Sequence, residues 1–200
     1  MKKVKIIYGT SNKNKIEEFQ NYLIRENLNI ELLSLNDIGF NSEIIENGKT
    51  FEKNSKIKAK AIKKFCKEKN ISFPIITDDA GLCCESLNGR PGVYTARYAG
   101  DHAAQDLCIK KLFSELKGKN RDCAFHCGMT LSYKNRYYYC EGISKGMISE
   151  KVGKLGGFTF GPVFVPEGYT VCYNEISDLE THRIKSIKLM IEILKDKGII

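Results

Sequence analysis

Short apolar runs alternate with amphipathic stretches in the first half of the chain. Apolar runs at residues 4–8, 31–35 and 73–77 predict three buried strands. Apolar positions recur every three or four residues after the first strand, as at Ile16, Phe19 and Leu23, and again over residues 50–69. This spacing predicts two helices that each bury one face. Strands that alternate with helices in this way predict an α/β fold with a mixed sheet.

The second half of the chain predicts a hairpin, two further helices and a short strand. Residues 123–133 and 137–144 are rich in apolar and aromatic side chains and are separated by a polar turn, which predicts two antiparallel strands. Helices are expected over residues 103–116 and from about Thr181, and a glycine-rich loop at 153–161 precedes a short strand. No linker or repeat marks a second domain, so we expect residues 1–200 to form a single domain.

Composition and charge narrow the range of partners. Hydrophobic residues make up 42% of the 200 residues and charged residues 28%, which excludes collagen-like, mucin-like and mostly disordered chains. The formal net charge of +8 suits a polyanionic ligand such as nucleic acid, an acidic membrane surface or a nucleoside triphosphate. A lysine-rich surface that serves only solubility would carry the same charge. No apolar run reaches the roughly 20 residues of a membrane helix, so we expect an unprocessed cytoplasmic protein without membrane association.

The chain contains eight cysteines, an even number that would allow disulfides in a secreted protein. None forms the C-x-x-C pairs of a zinc ribbon, and Cys123 and Cys127 fall on one face of a predicted strand. We therefore expect reduced and mostly buried thiols. The three histidines, His102, His126 and His182, are too scattered to predict a metal trio.

Two carboxylates form a candidate metal site. Asp78 and Asp79 follow an apolar strand and precede Ala80 and Gly81. At the carboxyl end of a strand such side chains commonly hold Mg²⁺, which binds one or two protein carboxylates together with substrate phosphates. An acidic turn or a helix cap would have the same sequence.

A second polar segment is a candidate phosphate site. Residues 9–15, at the junction of the first strand and first helix, offer backbone N–H groups, hydroxyls and two lysines to an anion. Many strand-to-helix turns have a similar composition. Gly48-Lys49-Thr50 ends like a P-loop, but the first glycine of that pattern falls on Glu43, so a P-loop ATPase or kinase is excluded. His182-Arg183, near the start of the last helix, suits either a base or phosphate contact or a solvated helix end.

Three longer motifs and one short motif are distributed over almost the whole chain. The first is Thr10-Ser11-Asn12-x-x-Lys15-x-x-Glu18, and the second is Gly48-x-Thr50-Phe51-x-x-Asn54-x-x-x-Lys58-Ala59. The third and most specific is Asp78-Asp79-Ala80-Gly81-Leu82, followed by the segment from Leu87 to Gly100, and Thr181-His182-Arg183 comes last. In these motifs and their spacing the chain resembles the inosine triphosphate pyrophosphatase family, the Ham1-type enzymes that hydrolyse deaminated purine nucleoside triphosphates.

The resemblance implies a two-lobed fold around a long curved mixed sheet, a nucleotide cleft between the lobes and, usually, a homodimer. It also implies a Mg²⁺-dependent reaction in which a nucleoside triphosphate and water give a nucleoside monophosphate and pyrophosphate. Asp79 would be the catalytic carboxylate and a metal ligand, and Glu46 would be the second metal ligand.

The resemblance also assigns substrate contacts. Phosphates would be held by Thr10, Ser11, Asn12, Lys13, Asn14, Lys15 and Lys58, the substrate would adjoin Ala80, and the base pocket would comprise Phe158, Thr159, Phe160, Gly161, His182 and Arg183.

The chain departs from the family pattern in the base pocket. Gly161 stands where the family has aspartate, and Ser177 stands where it has lysine. Base preference is therefore not carried over, and a catalytically weak nucleotide-binding paralogue is the alternative to an enzyme. A stable nucleic-acid partner is not expected, because the lysines lie on amphipathic helices without interleaved aromatic platforms.

Overall fold

The computed structural model describes residues 3–200 and contains one six-stranded sheet in this range. The strand order is β2-β1-β3-β4-β5-β6, with β1 parallel to β2 and β3, and β5 antiparallel to β6. The predicted α/β class with a mixed sheet is therefore confirmed. The elements are β1 Val4–Tyr8, α1 Lys13–Arg25, β2 Ile30–Leu33, α2 Phe51–Glu68, β3 Ile75–Cys84, α3 Gln105–Leu116, β4 Asp122–Tyr133, β5 Arg136–Ile148, β6 Phe164–Pro166 and α4 His182–Asp196.

Strand β3 corrects one prediction. It does not end at the acidic pair but continues through Asp78 and Asp79 to Cys84, so the two carboxylates lie inside the strand. Charged residues are uncommon in a buried strand, but here Asp78 is paired with Lys15 and hydrogen-bonded by Tyr8, which compensates for its burial. Strand β5 also runs to Ile148, four residues beyond its predicted end at Ser144.

The chain divides into two compact units. The first unit comprises residues 3–79, 127–142 and 184–200. One of its apolar clusters joins Ile7 of β1, Ile62 of α2 and Ile75 of β3 with Phe40 and Cys66. Helix α1 adds Phe19, whose ring meets that of Tyr8 edge to face at 5.2 Å between centroids. This core fixes β1, α1, α2 and the first half of β3 against one another.

Helices α1 and α2 of the first unit begin at side-chain caps. The Asn12 Oδ1 atom accepts hydrogen bonds from the backbone N–H groups of Asn14 and Lys15 at the start of α1. The Thr50 Oγ1 atom accepts one from the N–H of Lys53 at the start of α2. Such caps satisfy N–H groups that lack partners within the helix, which explains why the helices start close to their predicted positions.

The second unit comprises residues 80–126 and 143–183. Its core is rich in aromatic side chains, with Phe125 of β4 at the centre. The Phe125 ring lies 4.8 Å from that of Phe164 and 5.5 Å from that of Tyr173. Leu112 and Leu116 of α3 are fully buried in the same cluster. Because this core holds β4 and the segments that follow β5, it determines where the glycine-rich loop lies.

All eight cysteines are free thiols, and six of them are buried. Cys123 and Cys127 are both buried in β4, on one face of the strand as predicted. Over residues 3–200, no helix is both long enough and apolar enough to cross a membrane.

Candidate active site

Carboxylates and ammonium groups cluster in the first unit. Asp78 and Asp79 are consecutive in β3, and consecutive side chains of a strand point to opposite faces. Asp78 is buried, and its Oδ2 atom lies 2.8 Å from the Lys15 Nζ atom. Its Oδ1 atom accepts a hydrogen bond of 2.9 Å from the Tyr8 hydroxyl. Asp78 therefore ties α1 to the sheet, and it directs Lys15 toward β3.

Asp79 has a different environment. Its Oδ2 atom accepts a hydrogen bond of 2.9 Å from the Asn54 side chain, and the Asn54 Oδ1 atom accepts one of 2.8 Å from the Gly48 N–H. Burial raises the pKa of the Asp79 carboxyl, and the nearby Glu46 carboxylate raises it further, against the opposing effects of Lys58, Asn54 and Lys15. Asn54 thus connects the loop before α2 with Asp79, the carboxylate to which the family resemblance assigns a catalytic role.

Lys58 lies among three carboxylates. Its Nζ atom is 2.9 Å from the Glu46 Oε2 atom, and the Lys58 side chain is mostly buried. Burial lowers the pKa of Lys58, but Asp78, Asp79 and Glu46 more than offset that effect, so the pKa is raised overall. Lys58 therefore remains protonated at neutral pH and supplies a fixed positive charge.

The donor set fits a magnesium ion that is shared with phosphates. Asp79 and Glu46 provide hard oxygen donors, and their carboxylates are close enough for Glu46 to raise the pKa of Asp79. A bound cation would relieve that repulsion. Within residues 3–200 no group of three or more Asp, Glu, His or Cys side chains could hold a metal. Two carboxylates suffice for Mg²⁺ when substrate phosphates and water complete its octahedral shell.

The candidate phosphate segment lies between β1 and α1. Position 9 has no room for a side chain, because a Cβ atom there would lie 2.6 Å from the Thr77 Cγ2 atom. Thr10 is buried, and its Oγ1 atom accepts a hydrogen bond from the Asn12 N–H. Ser11, Lys13 and Asn14 are exposed. The segment therefore presents polar groups at the start of a helix, where anions are favoured.

The base-pocket candidates lie in the second unit. His182 is buried; its ring stacks on Phe125 at 4.9 Å, and its Nδ1 atom is 2.9 Å from the Tyr173 hydroxyl. The Phe158 ring meets the His182 ring at 5.1 Å, and the Arg183 guanidinium lies 5.2 Å from the Phe158 centroid. The structure thus brings Phe158, His182 and Arg183 into contact with one another.

The remaining candidates of the second unit have different surroundings. Phe160 is fully buried against Tyr98 in the core, so only its backbone can border a ligand. The Thr159 carbonyl accepts a hydrogen bond from the Gln105 side chain, and Gly161 is buried. Ala80 lies in β3, directly after Asp79, and is half-buried.

Several residues that shape the two clusters were not predicted from the sequence. Asn54 stands inside the second motif at a fixed distance from the Thr50 cap, so its spacing was an available signal. Tyr8, Gln105 and Tyr173 gave no such signal, because their roles depend on contacts between residues distant in sequence.

Comparisons with known proteins agree with the motifs. The sequence profile of the Ham1 family matches residues 6–194. A dITP/XTP pyrophosphatase of Flavobacterium psychrophilum is 35% identical over 199 residues, which cover 96% of this chain and 100% of the relative. A dITP/XTP pyrophosphatase of Clostridium perfringens is 37% identical, with 98% of each chain covered. A Ham1 protein from Coxiella burnetii superposes with a TM-score of 0.85 at 27% identity, over 96% of this chain and 99% of that protein. The resemblance seen in the sequence is confirmed, and this chain belongs to the Ham1 family.

Proposed function

We propose that this protein is a Mg²⁺-dependent nucleoside triphosphate pyrophosphohydrolase that converts a nucleoside triphosphate and water into a nucleoside monophosphate and pyrophosphate. The carrying observation is the cluster of the first unit, where Asp79 and Glu46 lie beside the buried ammonium group of Lys58. The names of the curated relatives, dITP/XTP pyrophosphatases, support deaminated purine nucleotides such as dITP and XTP as substrates.

The residues of the cluster divide the chemistry among them. Asp79 would position the attacking water and, with Glu46, hold the metal ion. A bound Mg²⁺ would supply positive charge to the phosphate oxygens, on which negative charge develops as water attacks the α-phosphorus. Lys58 supplies a second fixed positive charge in a water-poor setting, where its effect is larger than in bulk water. Thr10 and the N–H groups at the start of α1 would bind phosphate oxygens.

The base would be held in the second unit by Phe158, His182 and Arg183. An aromatic ring with a guanidinium above it offers one flat surface and several N–H donors. These groups suit a purine with oxygen acceptors on its edge, which is the property that deaminated purines share.

We further propose that the enzyme is a cytoplasmic homodimer. The free and mostly buried thiols suit a reducing compartment. Two large apolar side chains, Ile143 and Met147, are partly exposed at positions i and i+4 of β5, and such a surface suits a protein partner. Sedimentation velocity measures the assembly state.

The test is a panel of ITP, dITP, XTP, dUTP, GTP and ATP with Mg²⁺, in which pyrophosphate and orthophosphate are assayed separately. We expect pyrophosphate from at least one deaminated purine nucleotide. Asp79→Asn should reduce kcat by about 10³-fold, the range for loss of a group that positions or activates the nucleophile. The matched control is Asp106→Asn, which removes an exposed carboxylate paired with Lys110 on α3.

Two outcomes would contradict the proposal. Release of orthophosphate alone would indicate a different reaction. Nucleotide-induced thermal stabilisation without release of pyrophosphate would indicate the nucleotide-binding paralogue instead.

A further inference from the structure

A short 3₁₀ turn, Tyr173–Glu175, contacts both the start of helix α4 and the glycine-rich loop at residues 153–161. Tyr173 contacts His182, the first residue of helix α4. Its hydroxyl is 2.9 Å from the Nδ1 atom of His182 and accepts a hydrogen bond of 3.1 Å from the His182 backbone N–H. The next residue, Asn174, contacts the glycine-rich loop. Consecutive residues of one turn thus fix the distance between the loop and the start of α4.

Asn174 binds the loop through both hydrogens of its side-chain amide. Its Nδ2 atom donates to the carbonyl oxygens of Lys154 at 3.2 Å and Gly156 at 2.5 Å. Gln105 of α3 holds the same loop from another element, since its Nε2 atom donates to the carbonyls of Gly156 and Phe158. The loop turns sharply here, with positive φ angles at Gly156 and Gly157. These bonds determine where Phe158 is placed.

The side-chain oxygen of Asn174 fills the space that a side chain at position 161 or 157 would occupy. A Cβ atom at position 161 would overlap the Asn174 Oδ1 atom, and one at position 157 would lie 3.0 Å from it. Gly161 does not have a positive φ angle, so a side chain at this position conflicts with the Asn174 amide and not with the backbone conformation. The Asn174 amide therefore fits beside residue 161 because that residue is glycine, and in this sense the two residues are sterically matched.

We propose that Asn174, matched to Gly161, is a positioning residue that sets the base preference of this protein. By holding the loop, Asn174 keeps Phe158 in contact with His182 and under the Arg183 guanidinium. A side chain at position 161 would displace the amide and so move Phe158. The proposal rests on the proposed function, because it takes the bound base to be that of the substrate.

The test compares a ligand that carries a base with one that does not. Binding of inosine monophosphate, adenosine monophosphate and inorganic pyrophosphate is measured by calorimetry with Mg²⁺ present. Asn174→Ala should weaken inosine monophosphate binding by about tenfold, the equivalent of one or two hydrogen bonds, and reduce its preference over adenosine monophosphate. Pyrophosphate binding should remain within about twofold of its original value, since only the base side is altered.

A double-mutant cycle tests the match between the two positions. Gly161→Ala should weaken inosine monophosphate binding in the original protein, because the new methyl group meets the amide. In the Asn174→Ala background the same substitution should have little further effect, which is the non-additivity expected of residues in contact. Asn120→Ala, which removes an exposed asparagine of the same unit, is the matched control.

Each outcome decides the proposal separately from the enzymatic activity. An unchanged ratio of inosine to adenosine monophosphate affinity in Asn174→Ala would overturn it, as would equal losses for inosine monophosphate and pyrophosphate. Absence of inosine monophosphate binding to the original protein would also overturn it. If no triphosphate yields pyrophosphate but the affinity ratio shifts as expected, the proposed function fails and the positioning role stands. Asn174→Asp, which keeps the size and removes both N–H donors, gives the same test if Asn174→Ala does not fold.

Discussion

Asp78 and Asp79 show how surroundings separate two identical residues. Asp78 is buried with the ammonium of Lys15 and the hydroxyl of Tyr8 as direct partners, which offset the cost of its charge. Asp79 accepts a hydrogen bond from the neutral Asn54 side chain, and burial followed by Glu46 keeps its pKa raised. A carboxylate that is held at a cost in its charged form gains most from a bound cation. The metal-binding role that we propose therefore suits Asp79 better than Asp78.

A single cysteine gives a prediction at the same scale. Burial raises the pKa of the Cys140 thiol to about 12, with smaller contributions from Cys127 and Glu141. Because the thiolate is the reactive form, iodoacetamide at pH 8 should modify Cys140 about 10³-fold more slowly in the folded protein than in the unfolded chain. Mass spectrometry of the Cys140 peptide after timed alkylation, with and without guanidinium, measures both rates.

The same shift predicts the sign of a stability change. The folded state keeps the Cys140 thiol protonated. The contribution of this thiol to the free energy of unfolding is therefore fully present below its ordinary pKa of 9.0 and is lost as the pH rises toward the folded-state pKa of about 12. Cys140→Ser should flatten the decline of stability in this alkaline range. Equal alkylation rates in the folded and unfolded chains would show that the thiol is not shielded.

At the scale of elements, segments with a regular apolar pattern were predicted correctly, whereas the strand whose pattern is broken by acidic and glycine residues was not. Helices α1, α2 and α4 have long apolar stripes and begin near their predicted residues. Strand β3 was predicted too short, because acidic and glycine residues usually end a strand. Its continuation depends on Lys15 and Tyr8, which are 63 and 70 residues from Asp78 in sequence. The role of Asn174 was missed for the same reason, since its match to Gly161 exists only in the folded loop.

Helix α2 gives a prediction that links an element to the site. The Thr50 Oγ1 atom accepts a hydrogen bond of 3.1 Å from the Lys53 N–H and begins the helix that carries Asn54 and Lys58. Thr50→Ala should lower the free energy of unfolding by about 1 kcal/mol, the usual cost of a lost N-cap. Urea denaturation should then show a midpoint lower by roughly 0.5 M.

Thr50→Ser is the control for this prediction, because serine restores the capping oxygen and should recover most of the stability. A midpoint that Thr50→Ala leaves unchanged would show that the cap is not needed to begin α2. A loss that Thr50→Ser does not recover would point to packing of the threonine methyl group instead.

At the scale of the whole molecule, each compact unit carries one kind of chemistry. The first unit contains the charged cluster of Asp79, Glu46 and Lys58, and the second contains the aromatic cluster of Phe158, Tyr173 and His182. The departures from the family pattern at Gly161 and Ser177 both fall in the second unit. Under the proposed function, changes in the aromatic cluster would therefore alter base preference while the charged cluster stays the same.

Net charge gives the prediction that concerns the molecule as a whole. The formal charge of +8 produces a positive field that accelerates encounter with a polyanion, and salt screens that field over about 10 Å at 0.1 M. Raising KCl from about 25 to about 500 mM at constant Mg²⁺ should lower kcat/KM for the preferred triphosphate by about tenfold, mainly through KM. Inhibition by inosine, which has no charge, should change little and serves as the control. If kcat/KM and inosine inhibition are both insensitive to salt, the lysine-rich surface serves solubility and not substrate capture, because a field that attracts the triphosphate cannot be screened without slowing its binding.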